Sequence, residues 1–293
     1  MSTPMSMSMS TSVPSLLGVF AHPDDESLSA GGVLAGHAAA GARTGVVTAT
    51  WAAGTGRAAE LAEALRILGA GEPRMLGFAD ARVPQSAPDS VPFIEAPLDE
   101  AVRRLVAHIR DFRPEVVVTH DAYGGLPGHP DHVHTHRVTV LAVQAAGLDQ
   151  LYPDAGEPWQ PSALYLATHP RSVVPALTEV VGVRKAVYSV PDEQITAAVD
   201  VRPWLEQKVA AVLAHRSEVE RGAMPGVIAG LPADGRERLL ATEWYIRHSP
   251  APAPAPVPSP VVAAQGVDSP GPARWTFLAG TEPGEDNREG LRR

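Results

Sequence analysis

His22-Pro23-Asp24-Asp25-Glu26 directly follows the apolar run Leu16 to Ala21, so an imidazole and three carboxylates stand where a buried strand would end. Open α/β sheets keep their chemistry at that edge. A second cluster, His129-Pro130-Asp131-His132-Val133-His134-Thr135-His136, lies beyond another apolar run, Val116 to Thr119. A catalytic zinc usually takes three protein ligands from His, Asp and Glu, leaving a fourth position for a water whose pKa falls to about 7. His22, Asp25 and His132 can make that set, provided both strands end at the same edge. Asp24, adjacent to Asp25 but pointing elsewhere along the turn, then fits a general base. His129, one helical turn before His132, can reach a substrate oxygen as electrophile or general acid. Asp131 can hold one of the imidazoles in its working tautomer. Each cluster alone has a plainer reading, an N-cap with first-turn acids for the first and a solvated helix start for the second. Their joint position at the ends of apolar runs points to a hydrolytic metalloenzyme.

The elements that must carry these residues alternate between strand and helix. Leu16–Ala21 and Thr44–Thr50 read as strands around a helix over Leu28–Ala40, and a helix over Arg57–Leu68 ends at Gly69, a C-cap residue. Met75–Phe78 reads as a short strand. Residues 81 to 97, with prolines at 84, 88, 92 and 97, read as a loop near the site. Leu98–Phe112 is amphipathic, and Arg113-Pro114 ends it before the strand Val116–Thr119. Such alternation predicts an α/β fold, a mostly parallel sheet with helices on both faces. Further along, Ala163–Ala167 and Lys185–Val190 read as strands and Trp204–Arg216 as a helix. His120, His136, His169 and His215 read as packed or ordinary residues.

Residues 1–14 are Ser/Met/Thr-rich and are expected to be disordered, 15–248 to form the catalytic domain, and 249–293, opening PAPAPAPVPSP, to be an extended tail. Within that tail Trp275-Thr276-Phe277-Leu278 offers an apolar patch for docking back. Net charge of -9 and pI near 5.6 argue against nucleic acid as a partner. The chain has no Cys, so disulfides, thiolate ligands and a cysteine nucleophile are excluded, and any zinc must use nitrogen and oxygen. No apolar stretch reaches the roughly 18 residues of a membrane span, and a cytoplasmic protein is expected. A homo-oligomer is left open. Only Lys185 and Lys208 are lysines among 24 basic residues, a bias that high-GC coding produces.

AHPDDE and GHPDH resemble the signatures of the LmbE-like, or PIG-L, family of zinc-dependent N-deacetylases. The resemblance implies a Rossmann-like α/β fold and a cofactor that is Zn2+, with Fe2+ as the alternative. It implies that His22, Asp25 and His132 bind the metal, that Asp24 is the base, and that His129 stabilises the oxyanion or protonates the leaving amine. Arg57-Ala58-Ala59-Glu60 and Leu76-Gly77-Phe78-Ala79-Asp80 resemble further family segments, making Arg57 and Asp80 candidate contacts to a sugar hydroxyl. Val190–Ile195, Trp204–His215 and Leu240–Tyr245 look most like the actinobacterial mycothiol branch. That branch implies a small amino-sugar substrate, N-acetylglucosaminyl-inositol first, with mycothiol conjugates or a secondary metabolite as alternatives. A silent metal- or sugar-binding module is the reading from a different class. Two departures stand out: Trp51–Gly56 lacks the branch's acidic residues, and Pro127 occupies the position of a family tyrosine, with Tyr123 nearby in the same loop.

Overall fold

The computed structural model describes residues 13–181 and 187–248. The expected tail 249–293, its Trp275–Leu278 patch and residues 1–12 of the N-terminal segment lie outside the described residues. Five strands alternate with helices in chain order: β1 (Leu16–Phe20), α1 (Asp25–Ala39), β2 (Thr44–Thr50), α2 (Gly56–Leu68), β3 (Arg74–Phe78), α3 (Leu98–Phe112), β4 (Val116–His120), α4 (Pro130–Ala145) and β5 (Ala163–Thr168). The remainder adds α5 (Val174–Val181), β6 (Ala197–Asp200), α6 (Leu205–Ala214), α7 (Arg216–Glu220), α8 (Met224–Gly230), α9 (Ala233–Leu240) and β7 (Thr242–His248).

Among the described residues the sheet has seven strands, in the order β3-β2-β1-β4-β5-β7-β6. The first five are parallel, while β7 runs antiparallel to both β5 and β6. The expected mostly parallel α/β fold is therefore present. Successive strand side chains point to opposite faces, and every residue of β1, β2 and β4 is buried, as a sheet covered on both sides requires. Leu16, Phe20, Val46, Val116 and Val118 pack with Leu34, Leu61, Leu65 and Leu68 on one face. Leu17, Val19, Val47 and Val117 pack with Leu105, Val106, Ile109, Val138 and Val143 on the other. Among the described residues no helix is long and apolar enough to cross a membrane.

From β1 the chain winds outward to β2 and β3, then returns to place β4 on the other side of β1. That reversal opens a crevice beyond the carboxyl ends of β1 and β4, the place where open α/β sheets bind ligands. His22–Asp25 leave β1 there, and the loop after β4 leads to His129–His132.

Two expectations differ from the structure. Of the strand expected over Lys185–Val190, residues 185–186 lie outside the described residues; among the described ones Val190 forms a bridge, to Pro170, and residues 187–189 have no regular structure. The helix expected over Trp204–Arg216 is divided, because His215, with φ −78° and ψ 65°, separates α6 from α7.

Candidate metal centre

Asp24 occupies the N-cap position of α1, yet its carboxylate makes no capping hydrogen bond. Its backbone φ of 117° lies where a non-glycine residue is strained, and such outliers gather at functional sites. A cap ordinarily has extended backbone and turns its oxygen onto the first-turn amides. Here the carboxylate is left for other work, and Arg57 Nη2 stands 3.3 Å from its Oδ1. Burial, reinforced by the neighbouring Asp25 charge and opposed by Arg57, raises Asp24 to about 7.

One residue on, Asp25 Oδ2 accepts the His22 backbone N–H at 2.8 Å and lies 3.2 Å from His22 Nδ1 and 3.3 Å from His132 Nε2. The two ring nitrogens are 3.1 Å apart. What the imidazoles do with their other nitrogens decides what this triangle can hold. His132 Nδ1 faces the Gly124 carbonyl at 3.0 Å, and donation there leaves a lone pair on Nε2. Gly124 itself has φ of 79°, and a side chain at this position would meet Val133 and the His129 carbonyl within about 3.0 Å. Asp121 holds the same loop, its Oδ1 accepting from Gly125 and Tyr123 and its Oδ2 from Thr168. On the other ring, His22 Nε2 faces Asp131 Oδ2 at 3.1 Å and Asp80 Oδ2 at 3.4 Å, so Nδ1 can offer its lone pair inward.

Three acceptor atoms thereby converge within 3.1 to 3.3 Å of one another. Tetrahedral zinc with bonds of roughly 2.0–2.1 Å requires ligand atoms about 3.3–3.4 Å apart, so the donor set fits such an ion. Burial pushes His22 down, but the Asp131 and Asp25 hydrogen bonds outweigh it and raise the group to about 10. A cation held by this triangle would have to displace that proton.

His129 forms the N-cap of α4, its Nδ1 accepting the Asp131 backbone N–H at 3.2 Å. Burial and the nearby His22 and His132 lower it to about 4, so it is a neutral ring with Nε2–H left as a donor. The imidazole packs edge-on to His22, with ring centres 4.7 Å apart. Asp131 is wholly buried, and its Oδ2 accepts from Ala81 N–H as well as facing His22.

Asp24, Asp25, His22, His129 and His132 line one cavity of about 790 Å³, together with Arg57 and Asp80. Arg57 is buried and already engaged by Asp24, the Pro23 carbonyl and Glu218. Asp80 faces His22. Pro127 lines the cavity, whereas Tyr123 is half exposed, stacks on Tyr188 and is not part of the lining. His120, read from sequence as packed at a strand end, is buried and stacked on His132, with Nε2 accepting the Ala21 N–H. His136 faces the His120 carbonyl at 3.0 Å. The sequence reading missed His169 and Glu218 of the lining, and the Glu26–His215 pair behind Asp24. Glu26 was in plain view within the first cluster, but its partner is 189 residues away.

The fold is one that solved deacetylases share. A solved structure of a conserved protein from Thermus thermophilus matches with a TM-score of 0.56 at 26% identity, covering 87% of this chain and 100% of that one. N,N'-diacetylchitobiose deacetylase from Pyrococcus horikoshii shares the fold with a TM-score of 0.54, at 19% identity over 81% of this chain and 84% of its own. Residues 17–143 match the family model PIG-L, GlcNAc-PI de-N-acetylase. The chain is 38% identical to the 1D-myo-inositol 2-acetamido-2-deoxy-alpha-D-glucopyranoside deacetylase of Rhodococcus jostii, over 79% of this chain and 90% of the relative. Its counterpart in Thermomonospora curvata is 36% identical over 70% and 80%. The chain belongs to the PIG-L family of de-N-acetylases.

Proposed function

We propose that this protein is a zinc-dependent N-deacetylase that releases acetate from N-acetylglucosaminyl-inositol, the step that the resemblance to the mycothiol branch implies. The observation that carries the chemistry is the triangle of His22 Nδ1, Asp25 Oδ2 and His132 Nε2 beside a carboxylate, Asp24, that caps nothing. The substrate is carried by the relatives bearing that activity in their names. All three donors are nitrogen or oxygen, as zinc accepts, and ferrous iron is the alternative ion. When bound, the cation polarises the amide carbonyl and lowers the pKa of a water.

Asp24 removes a proton from the attacking water and can carry it toward the departing amine. His129, neutral and donating through Nε2–H, stabilises the oxygen that becomes negative as the amide carbonyl is attacked. Asp131 and Asp80 hold His22 with its lone pair inward. Arg57 fixes the Asp24 carboxylate from the side of α2.

The assay is amine release from N-acetylglucosaminyl-inositol by zinc-replete protein, with N-acetylglucosamine and a mycothiol conjugate run alongside. Preferred turnover of the inositol glycoside, abolished by chelation and restored by zinc, is expected. A specific observation favours a second reading, amidase action on a bulkier conjugate: Leu28, Met224, Ile228, Leu239 and Trp244 form an apolar wall of the same cavity. Preferred turnover of the conjugate would select it.

A further inference from the structure

The strained backbone of Asp24 has to be held by something, and its supports converge on one short turn. The Asp24 N–H donates to Glu26 Oε2 at 2.9 Å. The other Glu26 oxygen receives Ser27 Oγ at 2.6 Å and faces His215 Nε2 at 2.8 Å, with the Glu26 and His215 side chains fully buried. On the side-chain face, Arg57 contacts Asp24 Oδ1 and the Pro23 carbonyl, and its Nη1 stands 3.0 Å from Glu218 Oε1. The Arg57 guanidinium also lies over the Trp51 ring, 4.8 Å from its centre. Between these two anchors, Ser217 donates through both N–H and Oγ to Glu60 on α2, at 2.8 and 2.6 Å. The His215 carbonyl accepts from the Glu218 and Val219 amides, which makes the turn a local unit.

We infer that the turn His215-Arg216-Ser217-Glu218 is the positioning element of the base. It locks the Asp24 peptide through Glu26 and aims the Asp24 carboxylate through Arg57. A non-glycine residue with φ near 117° is strained and persists only where its surroundings over-determine it. The His215–Glu26 hydrogen bond and the Arg57–Glu218 ion pair supply that over-determination. The turn lies outside residues 17–143, the part matched by the family model, so base placement depends on a segment far from the ligand-bearing one. Its other consequence is the break between α6 and α7: the imidazole that reaches Glu26 belongs to the residue that leaves helical backbone.

This inference rests on Asp24 being the base, and a double-mutant cycle separates the two claims. His215→Ala, His215→Gln, Glu218→Gln, Asp24→Asn and the Asp24→Asn/His215→Ala pair are assayed as zinc-replete proteins, with melting temperature and zinc stoichiometry recorded for each. Misplacing a reacting group by about 1 Å can cost on the order of 100-fold. His215→Ala is expected to lower kcat about 10- to 100-fold with KM within twofold and zinc stoichiometry unchanged. Gln places an N–H donor close to the Nε2 position, so His215→Gln should recover at least tenfold of that loss. Glu218→Gln, which keeps the side-chain shape, should lower kcat severalfold with KM unchanged. In the Asp24→Asn background His215→Ala should cost nothing further, because both act through one group. Undiminished activity of Asp24→Asn would remove the base itself. An inactive Asp24→Asn combined with wild-type kcat in folded His215→Ala and Glu218→Gln would leave the base in place and overturn the positioning role.

Discussion

Replacing Asp131 by Asn isolates the charge that orients His22. In the native site Asp131 Oδ2 alone serves both donors, His22 Nε2 at 3.1 Å and the Ala81 N–H at 3.0 Å, while Oδ1 has no partner among the described residues. An asparagine can therefore keep its oxygen at the Oδ2 position and place its NH2 where Oδ1 was. The change removes the negative charge and leaves the geometry. Partners behind a metal-ligating histidine are worth roughly 10- to 100-fold in metal affinity, about 1.4–2.7 kcal/mol. Because Asp80 still faces the same His22 nitrogen at 3.4 Å, Asp131→Asn should fall at the low end, about tenfold. Asp131→Ala should approach 100-fold, since it removes the acceptor as well and strands the Ala81 N–H, at a further cost of about 1–3 kcal/mol in stability. The assay is competition for zinc against a chelator of known affinity at one pH, followed by turnover at saturating zinc. Folded Asp131→Ala protein that binds zinc within twofold of the parent would refute the orienting role. Loss of turnover at saturating zinc with unchanged affinity would move Asp131 to the substrate side.

Asp24→Asn should keep its zinc, measured by elemental analysis, and lose about 100- to 10,000-fold in kcat, the usual range for a general base. Leu105→Ala, a fully buried position of α3 in the second core, should cost about 2–5 kcal/mol in denaturant unfolding; a cost under about 1 kcal/mol would contradict that packing. For the Glu26–His215 pair the signs are opposite. Burial lowers His215, but the Glu26 charge and hydrogen bond win and raise it, so its stabilisation is complete below the unfolded value of 6.5 and is lost as pH rises through the folded one. Burial raises Glu26, but His215 wins and lowers it, so its stabilisation is present above 4.5 and is lost as pH falls through the folded value. The stability difference between metal-free parent and His215→Gln should thus peak between about pH 4.5 and 6.5 and shrink on either side, as measured by urea unfolding at several pH values.

That His22, Asp25 and His132 come together was legible because β1 and β4 are apolar runs that end at the same edge of the sheet, with His22–Asp25 straight after β1 and His132 on the helix reached by the loop after β4. Strands β2 and β3 and helices α2 and α3 were equally plain, with αL Gly69 ending α2 as expected. The second half of the chain was read less well, and the causes are local. β6 is four residues with alternating burial, too short to stand out from a polar loop, and it is held in place by pairing with β7. Lys185–Val190 has β-branched residues in a strand-like pattern, but residues 187–189 find no sheet edge and only Val190 meets another strand-like segment. The helix expected over Trp204–Arg216 is interrupted at His215, whose imidazole meets Glu26, 189 residues away, a pairing that local spacing does not display.

The same division runs through the site. Every atom of the ligand triangle, together with Asp24, His129, Asp131 and Asp80, comes from residues 22–132, the parallel half of the sheet. The rest of the lining includes Lys208, Met224, Ile228, Leu239 and Trp244, carried by the antiparallel β7 and by α6, α8 and α9, with His169 just beyond β5 and Val187 in a loop. Lys208 and Glu243, a fully buried pair at 2.7 Å, tie that wall to α1, because Glu243 also accepts from the Gly32 and Val33 amides. Removing only one partner of such a pair leaves a buried charge uncompensated, a cost of about 3–5 kcal/mol, so the wall cannot be altered at those two positions without loosening the helix that begins at Asp25. Met224, Ile228 and Leu239 carry no such tie. Enlarging or trimming them should change which amino-sugar aglycone is accepted, read as KM, while zinc affinity and the effect of Asp24→Asn stay as they are.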